Sequence, residues 1–127
     1  MKTIILLLIT ITSYSQTKDS VYSYLKEIGV KHPEIVLRQS IQETKHFECV
    51  NCSLEHNNIF GFRLSKKYIK FGTWQQSCDY YLIWQNKWYK GNDYYDFLNC
   101  IWKHRNGSCA RYASDPLYTQ KLKQIRL

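Results

Sequence analysis

The sequence predicts one mainly α domain with a single small β-hairpin. Its 127 residues are 44% hydrophobic and 22% charged, enough for one core and too few for two domains. Helix-capping and helix-breaking residues divide most of the chain into helical segments. Only residues 59–71 alternate between apolar and polar positions, a pattern that favours strands.

The first two helices are bounded by clear signals. The first is predicted to begin at Asp19 or Ser20, which can cap it, and to reach Ile28 before a glycine. The second begins at Pro33, because proline suits the first helical position, and continues to about His46.

The remaining elements follow in order along the chain. Residues 47–58 are predicted as a polar loop, and residues 59–71 as a hairpin that turns at residues 65–67. Two more helices are expected over residues 75–88 and 92–103. Ser114 or Asp115, before a proline, begins a last helix.

The N-terminus is predicted to be a secretory signal peptide. A lysine at position 2 precedes an apolar run, residues 4–11, and the small residues Ser13 and Ser15 follow. Cleavage after Ser15 would give a signal peptide of residues 1–15 and a mature domain of residues 16–127. The run is shorter than the roughly 20 residues that span a bilayer. We therefore expect export to the periplasm or the extracellular space, without a membrane anchor; an N-terminal core strand is the alternative.

The charge of the chain favours anionic partners. Eighteen Lys and Arg residues against ten Asp and Glu give a formal net charge of +8, which attracts cell-wall polymers, nucleic acids or anionic lipids. No nucleic-acid-binding motif is recognisable, so we expect no nucleic-acid partner.

Five cysteines in an exported chain favour disulfides. Cys49 with Cys52, and Cys100 with Cys109, are the short-loop candidates, although the spacing does not fix the pairing. The odd number leaves at least one cysteine unpaired or intermolecular.

A zinc site is the alternative for the first cysteine pair. His46, Cys49, Cys52 and His56 could supply four ligands. A disulfide or free thiols remain the favoured interpretation, so no metal site is predicted.

Glu43 is out of place on its predicted helix. At about 100° per residue, it projects beside Val36, Ser40 and Phe47, on the face that should pack or line a cleft. Desolvation there would raise the pKa of the carboxyl group and keep it protonated near neutral pH, as a general acid requires. A structural glutamate paired with arginine or backbone is the alternative.

Four segments, in order, resemble the bacterial glucosaminidase domain, family 73 of the glycoside hydrolases. They are QSIQET at residues 39–44, NNIFG at 57–61, WQQS with the following DY at 74–80, and YASDPLY at 112–118. Together they cover essentially the whole mature chain.

The resemblance implies a mainly α, lysozyme-like fold with one small β-hairpin lobe. It also implies hydrolysis of the β-1,4 bond after N-acetylglucosamine in peptidoglycan glycan strands, by a monomer without cofactor. The catalytic acid of the family falls on Glu43, Asn58 and Phe60 would shape the cleft floor, and Tyr112 would lie near the reacting sugar.

The sequence departs from the family pattern in its second carboxylate. The family often places one on its β lobe, yet residues 59–78 contain no Asp or Glu. Glu55 is the favoured candidate, with Glu48 and Asp79 as further ones. Alternatively, the 2-acetamido group of the substrate attacks the anomeric carbon, and Tyr112 orients or polarises it.

Trp74 is predicted to stack on a sugar ring, because it lies between the hairpin and the next helix. Most other aromatic side chains at helical spacing are expected in the core.

The sequence is also compatible with two other functions. A lytic transglycosylase or muramidase would use a single glutamate on a similar fold and cut the other bond. A non-catalytic peptidoglycan-binding protein could keep the cleft, although binding alone gains nothing from a desolvated acid.

Overall fold

The computed structural model describes residues 15–127, so the predicted signal peptide lies outside the described residues apart from Ser15. The first helix, α1, spans Lys18–Glu27 and confirms the first predicted helix. Its N-cap is Thr17 instead of Asp19 or Ser20. Thr17 and Ser20 form a reciprocal capping box, with bonds of 3.1 and 2.8 Å between each side chain and the other's backbone N–H.

The second helix, α2, spans Pro33–Thr44 and begins at the proline, as predicted. It ends two residues before the predicted boundary, because Lys45 and His46 adopt left-handed conformations with φ of 48° and 61°. A short 3-10 helix, Ser53–His56, lies in the loop that follows and was not predicted.

The predicted hairpin is present and short. Strand β1, Arg63–Leu64, pairs antiparallel with β2, Lys67–Tyr68. Ser65 and Lys66 form the turn with φ of 49° and 70°, as a two-residue turn matched to the strand twist requires.

The second half of the chain differs from the prediction at two places, the end of α4 and the start of the last helix. Helix α3, Trp74–Trp88, is as predicted, but α4, Tyr94–Asn99, ends four residues before position 103. A second hairpin follows, in which β3, Trp102–Lys103, pairs with β4, Cys109–Ala110. The predicted helix over residues 92–103 is therefore wrong beyond residue 99, because these residues pair with a strand instead.

The chain ends with helix α5, Tyr118–Gln124, which begins after the predicted start at Ser114 or Asp115. Asp115 instead stabilises the turn before the helix, where its Oδ1 atom accepts the Leu117 N–H at 2.9 Å.

Helix α5 packs against α2, which also contacts α1, and α1 contacts α3. Large aromatic side chains fill the space between the helices; Tyr81 and Phe60 are at most 1% exposed. The architecture is mainly α and lysozyme-like, as predicted, with two small hairpins instead of one.

Both short-loop cysteine pairs form disulfides, Cys49 with Cys52 and Cys100 with Cys109, and Cys78 is a buried free thiol. The zinc alternative is wrong, because the two disulfide sulfurs cannot act as thiolate ligands. Residues 15–127 hold no cluster of three or more metal-ligating side chains. Within the same residues, no helix has the length and hydropathy to cross a membrane.

Candidate active site

A cavity of about 510 Å³ opens beside the last turn of α2, and both hairpins contribute to its walls. Its lining combines one carboxylic acid, two arginines, several aromatic rings and small residues: Glu43, Phe60, Gly61, Phe62, Arg63, Tyr68, Trp84, Ile101, Trp102, Arg111, Tyr112, Ala113 and Ser114. The volume is sufficient for a small-molecule or sugar ligand.

Glu43 is the only carboxylic acid among the described residues that line this cavity. Burial raises the pKa of Glu43 from its usual 4.5 to about 7, although a hydrogen bond with Tyr118 and the charge of Arg63 both act to lower it. The helix-wheel prediction of a desolvated carboxyl group agrees with this environment. A carboxyl group with such a pKa can donate a proton at neutral pH.

Gly61 makes close contact with the Glu43 carboxyl group possible. A Cβ atom at Gly61 would lie 2.6 Å from Oε2 of Glu43, which is closer than any real contact of this kind, and φ at Gly61 is +69°. The positive φ favours glycine, and a side chain at this position would push the Glu43 carboxyl group aside. The chain that leaves the 3-10 helix therefore passes directly beside the acid.

Tyr112 shares the cavity with Glu43. Its hydroxyl group donates a 2.7 Å hydrogen bond to the carbonyl oxygen of Phe60, and its ring stacks on that of Tyr118 with centroids 5.7 Å apart. Burial raises the pKa of Tyr112, so the hydroxyl stays protonated.

Phe60 lines the cavity but packs its ring inward, where it is 1% exposed and lies 4.7 Å from the Tyr81 ring. Asn58 does not reach the cavity, and its side chain is fully buried. Its Nδ2 group donates to the carbonyl oxygens of Phe62 and Ile69 at 2.8 and 3.0 Å, and its Oδ1 atom accepts the Phe62 N–H. Asn58 thus shapes the cleft indirectly, by fixing the base of the first hairpin.

The structure separates two predicted residues from the cavity. Trp74 is 6% exposed and packs edge to face against Tyr24, so its prediction as a sugar-stacking residue is wrong. Glu55 lies on the 3-10 helix and accepts a 2.9 Å bond from the Asn51 N–H. It does not line the cavity and is not placed to act as the second carboxylate.

The other acidic candidates also lie elsewhere. Glu48 is exposed in the loop after α2, and Asp79 accepts a 2.7 Å hydrogen bond from Tyr24. Neither lines the cavity.

A buried hydrogen-bond network supports Glu43 from behind. Tyr118 bonds to the Glu43 carboxyl group and accepts a 3.4 Å bond from Nε2 of Gln39. The Gln39 oxygen accepts the Tyr81 hydroxyl, which also bonds to Tyr94. The network joins α2, α3, α4 and α5 beneath the cavity.

Sequence reasoning missed several lining residues. Trp102 is 43% exposed and stacks on Trp88 with ring centroids 4.8 Å apart, and it lines the cavity with Arg63 and Arg111. Tyr118 does not line the cavity but bonds to Glu43; it carried a signal, since it ends the YASDPLY segment. Trp102 carried none, because its position depends on the unpredicted second hairpin.

A comparison with protein families identifies one match. The family model of the glucosaminidase domain, described as mannosyl-glycoprotein endo-beta-N-acetylglucosaminidase, matches residues 18–126. Curated proteins and solved structures give no significant match. The chain therefore belongs to the glucosaminidase family and is a glycoside hydrolase of the glucosaminidase type.

Proposed function

We propose that the protein hydrolyses the β-1,4 bond after N-acetylglucosamine within peptidoglycan glycan strands, as an endo-β-N-acetylglucosaminidase. The observation that carries the proposal is the Glu43 carboxyl group, which faces the cavity and has a pKa raised to about 7 by burial. In this role Glu43 donates its proton to the glycosidic oxygen as the bond to the anomeric carbon breaks.

The nucleophile of the first step is proposed to be the substrate itself. Since no second carboxylate lines the described cavity, the oxygen of the 2-acetamido group attacks the anomeric carbon while the leaving oxygen takes the Glu43 proton. The resulting cyclic cation is opened by water, and the Glu43 carboxylate accepts the proton of that water. Tyr112 orients the acetamido group, whose N–H its hydroxyl oxygen can accept.

The place of action follows from the same proposal. We propose that the protein is exported to the periplasm or the extracellular space and acts there as a monomer on the cell wall. Two disulfides support an oxidising compartment.

Digestion of purified peptidoglycan by the protein and by Glu43→Gln tests this function. The products are reduced with borohydride and identified by mass spectrometry. Reduced N-acetylglucosamine ends from the parent and none from the variant are expected. Glu48→Gln, which changes an exposed carboxylate outside the cavity, should digest like the parent.

Other products would redirect the proposal. Anhydro-muramyl ends would indicate a lytic transglycosylase, and reduced muramic acid ends a muramidase. Wall binding without any product would indicate a binding protein. Full activity in Glu43→Gln would show that Glu43 is not the catalytic acid.

A further inference from the structure

Two arginines line the cavity and form no ion pair within residues 15–127. Arg63 comes from the first hairpin and Arg111 directly follows the second. The two ion pairs in residues 15–127 are His32 with Glu34 and Lys121 with Asp115, so neither involves a cavity arginine. The only carboxylic acid of the lining is Glu43, which burial disposes towards its neutral form.

Arg63 is held in place by Tyr68. Its Nη2 atom donates a 2.8 Å bond to the Tyr68 hydroxyl group, and its guanidinium carbon lies 4.4 Å from the centroid of the same ring. A guanidinium group has five N–H donors, so most of those of Arg63 remain available. Tyr68 therefore fixes the orientation of the group and leaves its binding capacity free.

The backbone of Arg111 is fixed by the residues on either side of it. Its side chain makes no hydrogen bond or ion pair within the described part of the chain. The residue lies between β4, which the Cys100–Cys109 disulfide ties down, and Tyr112, whose N–H donates a 2.9 Å bond to the Leu98 carbonyl. Its backbone position is thus fixed while its charge is free.

Arg63 and Arg111 are exposed, and their position in the cavity wall distinguishes them from the other cations of the chain. The chain has 18 Lys and Arg residues, yet Arg63 and Arg111 are the only two that line the described cavity. Guanidinium groups bind carboxylates through paired N–H donors. A cavity with two guanidinium groups that form no ion pair, and with a single acid whose pKa is raised by burial, favours an anionic ligand.

We propose that Arg63 and Arg111 are specificity-determining residues that bind a carboxylate carried by the glycan strand and so select peptidoglycan over neutral N-acetylglucosamine polymers. This inference rests on the proposed function. N-acetylmuramic acid bears a lactyl group, which ends in a carboxylate when free and otherwise carries a peptide stem with carboxylates of its own. Either source supplies the same chemistry.

Binding measurements on Glu43→Gln test the proposal without hydrolysis. Calorimetry would compare four soluble ligands of similar length: strands with stems, strands freed of stems, freed strands with their carboxylates converted to methylamides, and chitooligosaccharides. We expect the anionic strands to bind at least tenfold more tightly than both neutral ligands. A preference for strands with stems identifies stem carboxylates, and a preference for freed strands identifies the lactyl group.

The arginine variants are made in the same Glu43→Gln background. Arg63→Gln and Arg111→Gln should each weaken binding of the anionic strands about tenfold, the size expected for a charge-assisted hydrogen bond, and leave neutral ligands unaffected. Arg105→Gln removes an exposed cation of the second hairpin outside the cavity and should change neither. Because the arginines lie on different hairpins, a folding defect in one variant leaves the other to decide.

Three results would overturn the inference: equal binding of anionic and neutral strands, unchanged preference in both arginine variants, or no binding to any strand. The proposed function is judged separately, by the reduced ends that the parent releases. A parent that releases N-acetylglucosamine ends but binds neutral strands equally well would keep the function and lose the carboxylate selection.

Discussion

The pKa of Glu43 is set by opposing effects of the groups around its carboxyl group. Burial raises the pKa to about 7, while the Tyr118 hydrogen bond and the Arg63 charge lower it. A general acid works best when its pKa lies near the working pH. The Tyr118 hydrogen bond and the Arg63 charge therefore keep the pKa of Glu43 closer to neutral pH than burial alone would.

Tyr118→Phe removes one of the two lowering contacts. We expect the pKa of Glu43 to rise, so the alkaline limb of the pH profile of kcat/KM should move to higher pH. The profile is measured on soluble glycan strands. Tyr22→Phe, on α1 and outside the cavity, should keep the parental profile; an unshifted or lowered limb in Tyr118→Phe would contradict the assignment.

Gly61→Ala brings a methyl group against the acid. The new Cβ would lie 2.6 Å from Oε2 of Glu43, so the carboxyl group must move, and kcat/KM should fall at least about tenfold. The positive φ adds a stability cost of about 1–2 kcal/mol.

Gly29→Ala is the matched control for this substitution. Gly29 has φ of +83°, and an added Cβ would meet no atom within 4 Å. An alanine at this position therefore has the stability cost of the positive φ without any displaced side chain. Comparable losses of activity in both variants would attribute the effect to stability and not to displacement of Glu43.

At the scale of elements, the second hairpin completes the cavity wall. It supplies Trp102 directly and positions Arg111 just beyond β4. The Cys100–Cys109 disulfide closes this hairpin, whereas the Cys49–Cys52 disulfide lies in the loop before the 3-10 helix and contributes no lining residue.

Replacement of both Cys100 and Cys109 by serine tests that division. Loss of the cross-link that closes a loop of this length should lower the free energy of unfolding by roughly 2–3 kcal/mol. At a temperature where the variant is folded, its activity should also fall, because the cavity wall loosens. Thermal unfolding and digestion rates measure the two effects. The serine variant of Cys49 and Cys52 should retain most activity when folded; equal losses would show that the second hairpin has no special role.

At the scale of the whole molecule, the burial of Glu43 lowers the free energy of unfolding at neutral pH relative to acid pH. The folded-state pKa of Glu43, about 7, exceeds its usual value of 4.5, so the folded protein holds the proton more tightly. The resulting stabilisation is fully present below pH 4.5 and is lost as the pH rises through 7.

Glu43→Gln should therefore be more stable than the parent at pH 8, by about 1–3 kcal/mol, and little changed at pH 4. Denaturant unfolding at both pH values measures the difference. Glu48→Gln removes an equal charge from an exposed loop and should show no comparable gain. A parent more stable than Glu43→Gln at pH 8 would mean that the carboxylate is well satisfied in the fold.

Much of the fold was predictable because its signals are local. Pro33 begins α2 through its own backbone geometry, and the turn between β1 and β2 lies where residues 65–67 were predicted to turn. The projection of Glu43 was also predictable, since helical periodicity alone places it on the packed face. These features depend on residues within a few positions of each other.

The tertiary structure decided what depends on distant neighbours. Helix α4 ends at Asn99, shortly before Trp102 pairs with Ala110. Asn106–Gly107 is a turn signal between the paired strands, but a turn signal does not by itself show which residues pair. Trp74, expected at the cleft, is buried, whereas Trp102 is exposed and lines the cavity, because exposure depends on which other elements cover a ring. Residue types and helical periodicity thus placed the acid, but only the packed chain decided which rings and arginines surround it, since those contacts join residues far apart in sequence.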